Sequence, residues 1–129
     1  MPVVLWAILI FNFSSGTVPN ASNVYWQDFA FKKTGHVLLF GSMAALFYRA
    51  LIGEGVGAKK AVITAIILAT LYGATDEFHQ SFIQGREAAI RDIFIDGIGA
   101  YIAGVFIYHF LPIMPKEIKM LGFRMGFLK

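Results

Sequence analysis

The sequence predicts an all-α, polytopic membrane protein. Its expected form is a bundle of four transmembrane helices at about 2–15, 34–52, 60–80 and 88–111, followed by an interfacial C-terminal tail. Three observations predict it. The chain is 57% hydrophobic and only 15% charged, with mean hydropathy +0.66, whereas soluble domains are about a quarter charged. That leaves too little polar surface to cover a small soluble globule. Apolar runs alternate with polar or glycine-containing breaks, and the basic residues lie mostly in those breaks and in the tail, as membrane topology places them. The net charge of +3 does not point to nucleic acid, because no Lys/Arg cluster forms one face. With no cysteine, disulfides, Cys-ligated zinc, iron–sulfur clusters and a thiol nucleophile are excluded.

Residues Pro2 to Phe13 are apolar, and Ser14-Ser15-Gly16 break the run. The run falls short of a ~30 Å hydrocarbon core, so a short or tilted helix is expected. No Lys or Arg precedes it, which favours a membrane helix over a secretory signal. Thr17 to Lys33 reads as a polar, irregular loop, with Val18-Pro19-Asn20 as turn material. Tyr25, Trp26, Phe29 and Phe31 beside Lys32-Lys33 suit a return to the membrane interface. The second helix carries His36 near its start, Arg49 near its end, and Gly41, Ser42 and Ala45 as a small-residue face. After the turn at Gly53-Glu54-Gly55, the third helix runs through to Gln80, and Gly85 marks the loop beyond. The fourth helix is stopped by Pro112 and Pro115 and carries the small-xxx-small pair Ala100 and Gly104. Residues 1–111 form one transmembrane domain, and 112–129 a basic, amphipathic tail on the membrane surface.

Four spans put Arg49, Lys59, Lys60, Lys116, Lys119, Arg124 and Lys129 on one side, and Lys32, Lys33, Arg86 and Arg91 on the other. Seven against four places both termini in the cytoplasm of a cell-membrane protein. Whichever way the chain faces, one end of the bundle collects Lys33, His36, Asp76, Glu77, His79, Gln80, Arg86, Asp92 and Asp96. Asp76, His79 and Gln80 stand at i, i+3 and i+4 on one helix face, and Asp92 and Asp96 at i, i+4 on another. Glu77, one residue off, is expected to face elsewhere.

These residues resemble the VanZ-like family of small bacterial membrane proteins. The matching pieces are Lys33-x-x-His36 with Phe40 one turn on, Asp76-Glu77-x-His79-Gln80-x-Phe82, Gly85-Arg86, and Asp92 followed by Asp96, Gly99 and Ala103-Gly104. The order and spacing hold over about residues 3 to 110. The chain departs from the family at Gln84, where proline is usual, and at Asp96, where asparagine is usual. The name-giving member is associated with resistance to teicoplanin, a lipid-tailed glycopeptide, so a link to such resistance is what the resemblance implies.

Three chemistries compete for the charged cluster. Cross-paired ions could tie the helix ends together, since buried charges survive when paired. Alternatively Lys33, His36, His79, Gln80, Arg86, Asp92 and Asp96 could bind an anionic lipid head group or a lipid-linked cell-wall precursor, with Arg86 offering a bidentate fork. In the third, His36 or His79 acts as general base oriented by Asp76 or Asp92, with Glu77 as a further acidic candidate. A divalent ion on Asp76, His79 and Asp92 is a variant of that reading, although no resident metal or cofactor is expected. His109 lies at the opposite end of its helix, outside any site. Transport is disfavoured, because the charges gather at one end rather than at mid-bilayer and the chain has no internal repeat.

Overall fold

The computed structural model describes residues 2–16, 22–84 and 88–128, which are mostly helical and contain no strand. The Val18-Pro19-Asn20 turn, Gly85, Arg86, Glu87 and Lys129 lie outside the described residues. Three stretches are long and apolar enough to cross a membrane: Tyr25–Gly53, Ala58–Gln80 and Ile90–Ile113. The fourth apolar helix, α1 (Pro2–Ser15), is shorter, at 14 residues.

Helix α2 (Tyr25–Gly53) has 29 residues and starts nine positions earlier than the sequence predicts. The stretch read as loop contains a helical repeat. Asp28 and Lys32 pair at i, i+4 over 2.7 Å, Tyr25 stacks near Phe29 at 6.3 Å, and Lys33 sits 5.4 Å over the Phe29 ring. Such pairs support a helix end that apolar periodicity does not reveal, and Asp28 in the first turn complements the helix dipole. Tyr25, Trp26 and Phe31 remain exposed, as interfacial aromatics would.

At its far end α2 closes through Gly55, whose φ of +84° is the left-handed geometry glycine favours. Gly55 N–H donates to Ile52 O and Val56 N–H to Leu51 O, each at 3.0 Å, which satisfies the last carbonyls before α3 (Ala58–Gln80). Helix α4 (Ile90–Val105) continues into a wide π-turn at Phe106–Phe110 and a tight 3₁₀ turn at Leu111–Ile113. Pro112 explains the loosening, since it lacks an N–H and crowds the preceding turn.

The tightest packing joins α2 to α4. A Cβ built on Gly99 would lie 2.5 Å from Val37 O and 2.8 Å from Val37 Cα, so only glycine lets these two backbones meet. Gly41 faces Gly99 and Ala103 across the same seam. Gly104 instead receives Ile66 of α3. Of the small residues predicted on α2, Gly41 forms this seam, while Ser42 is exposed. Helix α1 leans on α2 and α3 and is fastened by polar anchors: Trp6 Nε1 donates to Leu39 O at 3.0 Å, and Tyr72 Oη to Ala7 O at 2.7 Å.

Two apolar clusters fill the interior. One joins Ile10, Phe40, Met43, Ala44, Ala69 and Ala100. The other, nearer the α2–α3 turn, joins Tyr48, Ile52, Ala61, Val62, Ala65, Ile107 and Leu111. The tail forms α5 (Lys116–Arg124) and folds back, with Phe127 and Leu128 packed on the second cluster and Gly122 against Leu111. Many large apolar side chains point outward, among them Ile67, Leu71, Phe94, Ile98 and Ile102. An outer surface of this kind suits lipid rather than water.

Candidate functional site

The polar end is assembled by α2, α3 and the start of α4. Lys33 Nζ bonds Asp92 Oδ2 at 2.5 Å, joining α2 to α4. One turn deeper, His36 Nδ1 lies 2.8 Å from Asp96 Oδ1, joining the same two helices again. The i, i+3 spacing of Lys33 and His36 is thus matched to the i, i+4 spacing of Asp92 and Asp96. Asp76, Glu77, Gln80, Asp92 and Asp96 are all buried, with Asp96 fully inaccessible.

Asp76 and Gln80 form a pair within α3, where Gln80 Nε2 donates to Asp76 Oδ2 at 2.8 Å. Glu77 does not face elsewhere, as its offset suggests; it turns inward. Its Oε2 accepts the Ala89 N–H at 3.0 Å, capping the approach to α4. Donor atoms of Glu77, His36 and Asp96 all lie within 4.8 Å of one another. The reason is the depth at which Asp96 sits. A Cβ on Gly73, one turn before Glu77, would lie 2.8 Å from Asp96 Oδ2. Gly73 on α3 and Gly99 on α4 together let the Asp96 carboxylate sink between the helices beside Glu77.

His79 goes another way. Its ring packs on Phe11 at 4.6 Å between centroids, and Nε2 lies 3.2 Å from Ser15 Oγ, both on α1. The structure therefore brings Lys33, His36, Glu77, Asp92 and Asp96 together, sets Asp76 and Gln80 beside them, and parts His79 from them. Arg86 lies outside the described residues. Among the described residues, Arg91 stands at Asp92, with Nε at 3.8 Å from Oδ1.

A cavity of about 630 Å³ opens on this cluster. Its polar wall carries Asp28, Lys32, Lys33, His36, Asp76, Gln80, Arg91 and Asp92, and its apolar wall includes Ile10, Phe13, Leu39 and Phe40. Tyr25 and Phe29 also line it, and the Arg91 guanidinium lies 5.0 Å from the Phe29 ring. Sequence reasoning missed Tyr25, Asp28 and Phe29 as wall residues because it began the helix at residue 34. Their mutual i, i+3 and i+4 spacing, continued by Lys32 and Lys33, was the signal available. A second cavity of about 510 Å³ between α1 and α2 is lined almost wholly by apolar side chains such as Leu5, Leu9 and Leu46.

Chemically, the first cavity presents both signs of charge and hydrocarbon in one lining. The second offers packing space alone. No protein of curated function and no solved structure matches the chain. A family model described as VanZ/LLP1 matches residues 2–112, and with the helices and paired acids in place the chain belongs to the VanZ/LLP1 family.

Proposed function

We propose that this membrane protein holds the head group of an anionic lipid, or of a lipid-linked cell-envelope component, in the cavity at the polar end of its bundle. The observation that carries the reading is the wall of that cavity. Lys32, Lys33 and Arg91 line it together with the apolar Ile10, Phe13 and Leu39, a mixture that fits an amphipathic ligand. Asp28, Asp76 and Asp92 balance the three cations, so a bare anion gains little there. A head group with both phosphate and hydroxyls fits better, because the carboxylates accept from hydroxyls while Arg91, 62% exposed, turns toward phosphate.

In this reading α1 is a fourth, tilted span, and both termini face the cytoplasm. The cavity then opens on the extracytoplasmic side, where cell-wall precursors are displayed. Cysteine labelling of intact spheroplasts tests the topology: Gln84→Cys is expected to react from outside and Gly57→Cys to stay protected. Native mass spectrometry of the detergent-solubilised chain tests the ligand, with phosphatidylglycerol, phosphatidylcholine and a polyprenyl phosphate as probes. Arg91→Gln is expected to weaken the anionic lipids about tenfold, near the 1.5 kcal/mol of a hydrogen bond to a charged group, and to leave phosphatidylcholine unchanged. Equal weakening of all three lipids, or none, sinks the reading. A link to teicoplanin-type resistance is the cellular corollary, measured as the inhibitory concentration with wild type against Arg91→Gln.

The Lys33–Asp92 and His36–Asp96 pairs favour a second reading, in which the cluster only ties α2 to α4. It predicts no lipid selectivity in the same experiment.

A further inference from the structure

Glu77 and Asp96 are 3% and 0% exposed. Each has one carboxylate oxygen satisfied, by the Ala89 N–H and by His36 Nδ1 respectively. The other oxygens, Glu77 Oε1 and Asp96 Oδ2, are buried and have no hydrogen-bond partner among the described residues. Unsatisfied carboxylate oxygens in a buried helix interface are costly, and native structures retain them for a reason. Lys33, one turn from His36, does not supply one, since its Nζ is joined to Asp92. His36, Glu77 and Asp96 come from three different helices, and their donor atoms lie within 4.8 Å of one another.

We propose that His36, Glu77 and Asp96 form a binding site for one divalent transition-metal ion of the Zn²⁺ or Mn²⁺ class. One imidazole with two carboxylates suits these ions better than Ca²⁺ or Mg²⁺, which take oxygen ligands almost alone. Ligand bonds of about 2.0–2.2 Å place donors roughly 3.4 Å apart around a tetrahedral ion, so the three side chains draw in by small rotations. The ion's two positive charges then meet two carboxylates that the fold otherwise leaves half satisfied. Three protein ligands leave a coordination position open. His36 also forms part of the cavity wall, so the ion sits directly behind that wall. The site goes beyond the lipid reading and holds whether or not a lipid fills the cavity.

The test uses the full chain, purified in dodecyl maltoside through a tag without histidines, stripped with EDTA and dialysed against ZnCl₂ or MnCl₂. Bound metal is counted by inductively coupled plasma mass spectrometry. Wild type is expected to retain about one ion per chain. Glu77→Gln and Asp96→Asn are expected to bind at least tenfold more weakly, since losing even an outer-shell partner of a metal ligand costs about 10–100-fold. Glu117→Gln on α5 is expected to match wild type. Co²⁺ in place of Zn²⁺ is expected to give a visible d–d absorption that His36→Gln abolishes. A wild-type chain that retains no ion above the buffer blank overturns the proposal, and that measurement needs no variant to fold. Ligand-site variants that bind as tightly as wild type overturn it equally.

Discussion

The two ends of this bundle are held together in opposite ways. At the α2–α3 turn, Tyr48, Ile52, Ala61, Val62, Ile107 and Leu111 interlock, and the tail folds over them through Phe127 and Leu128. Packing of this kind is a sum of many small contacts, and no single residue is indispensable. At the other end the same helices meet through Lys33–Asp92 and His36–Asp96, with Glu77 and Asp76 buried alongside. Such pairs recover the cost of burying charge only while both partners are present. A bundle of this size could be closed by apolar residues at both ends, as its lower half is. The difference is what the proposed head-group site would leave behind, because apolar replacement there would hold the helices at less risk.

The sharpest way to break the comparison is Asp92→Ala, which leaves Lys33 without its partner. It is expected to destabilise the protein by about 3–5 kcal/mol in SDS-driven unfolding from mixed micelles. The double variant Lys33→Met with Asp92→Leu is expected to return to within about 1 kcal/mol of wild type while losing lipid selectivity. A double variant as unstable as Asp92→Ala would show that the pair stabilises in its own right.

Next comes Gly99→Ala. Its Cβ meets Val37 backbone at 2.5 Å, which no side-chain rotation relieves, so a loss of about 2–3 kcal/mol is expected. Gly104→Ala is the matched control nearer the apolar end. It meets the tip of Ile66 at 2.7 Å, a flexible side chain, and is expected to cost clearly less in the same unfolding assay. In the apolar cluster, Ile107→Val removes one methylene and is expected to cost about 1 kcal/mol. The smallest effect is expected from Lys32→Ala. It breaks a partly exposed i, i+4 pair with Asp28, worth about 0.5 kcal/mol, and melting should barely move.

Much of the fold is legible in the residues. The apolar runs give α1, α3 and α4 within a few positions, and Pro112 marks where α4 loosens. The start of α2 is not, because aromatic and lysine side chains at a membrane surface look alike in a loop and in an amphipathic helix end. Only the pairs Asp28–Lys32 and Tyr25–Phe29 separate the two. The candidate site was legible as a list and less so as an arrangement. Spacing grouped His79 with Asp76 and Gln80, since i, i+3 and i+4 share a face. That face is wide enough for His79 to fall on the α1 side while Asp76 and Gln80 fall on the cavity side.

By itself, then, the sequence determined that this chain belongs in lipid, that its polar groups gather at one end, and which side chains are available there. Those properties follow from composition and from the direction in which each helix runs. The tertiary structure alone decided which acid meets which base, and that Glu77 turns inward to join His36 and Asp96. The physical reason is two glycines: Gly99 brings α4 against the backbone of α2, and Gly73 leaves the space into which Asp96 sinks. Helix separation of that kind is a property of packed surfaces, and no one-dimensional pattern records it.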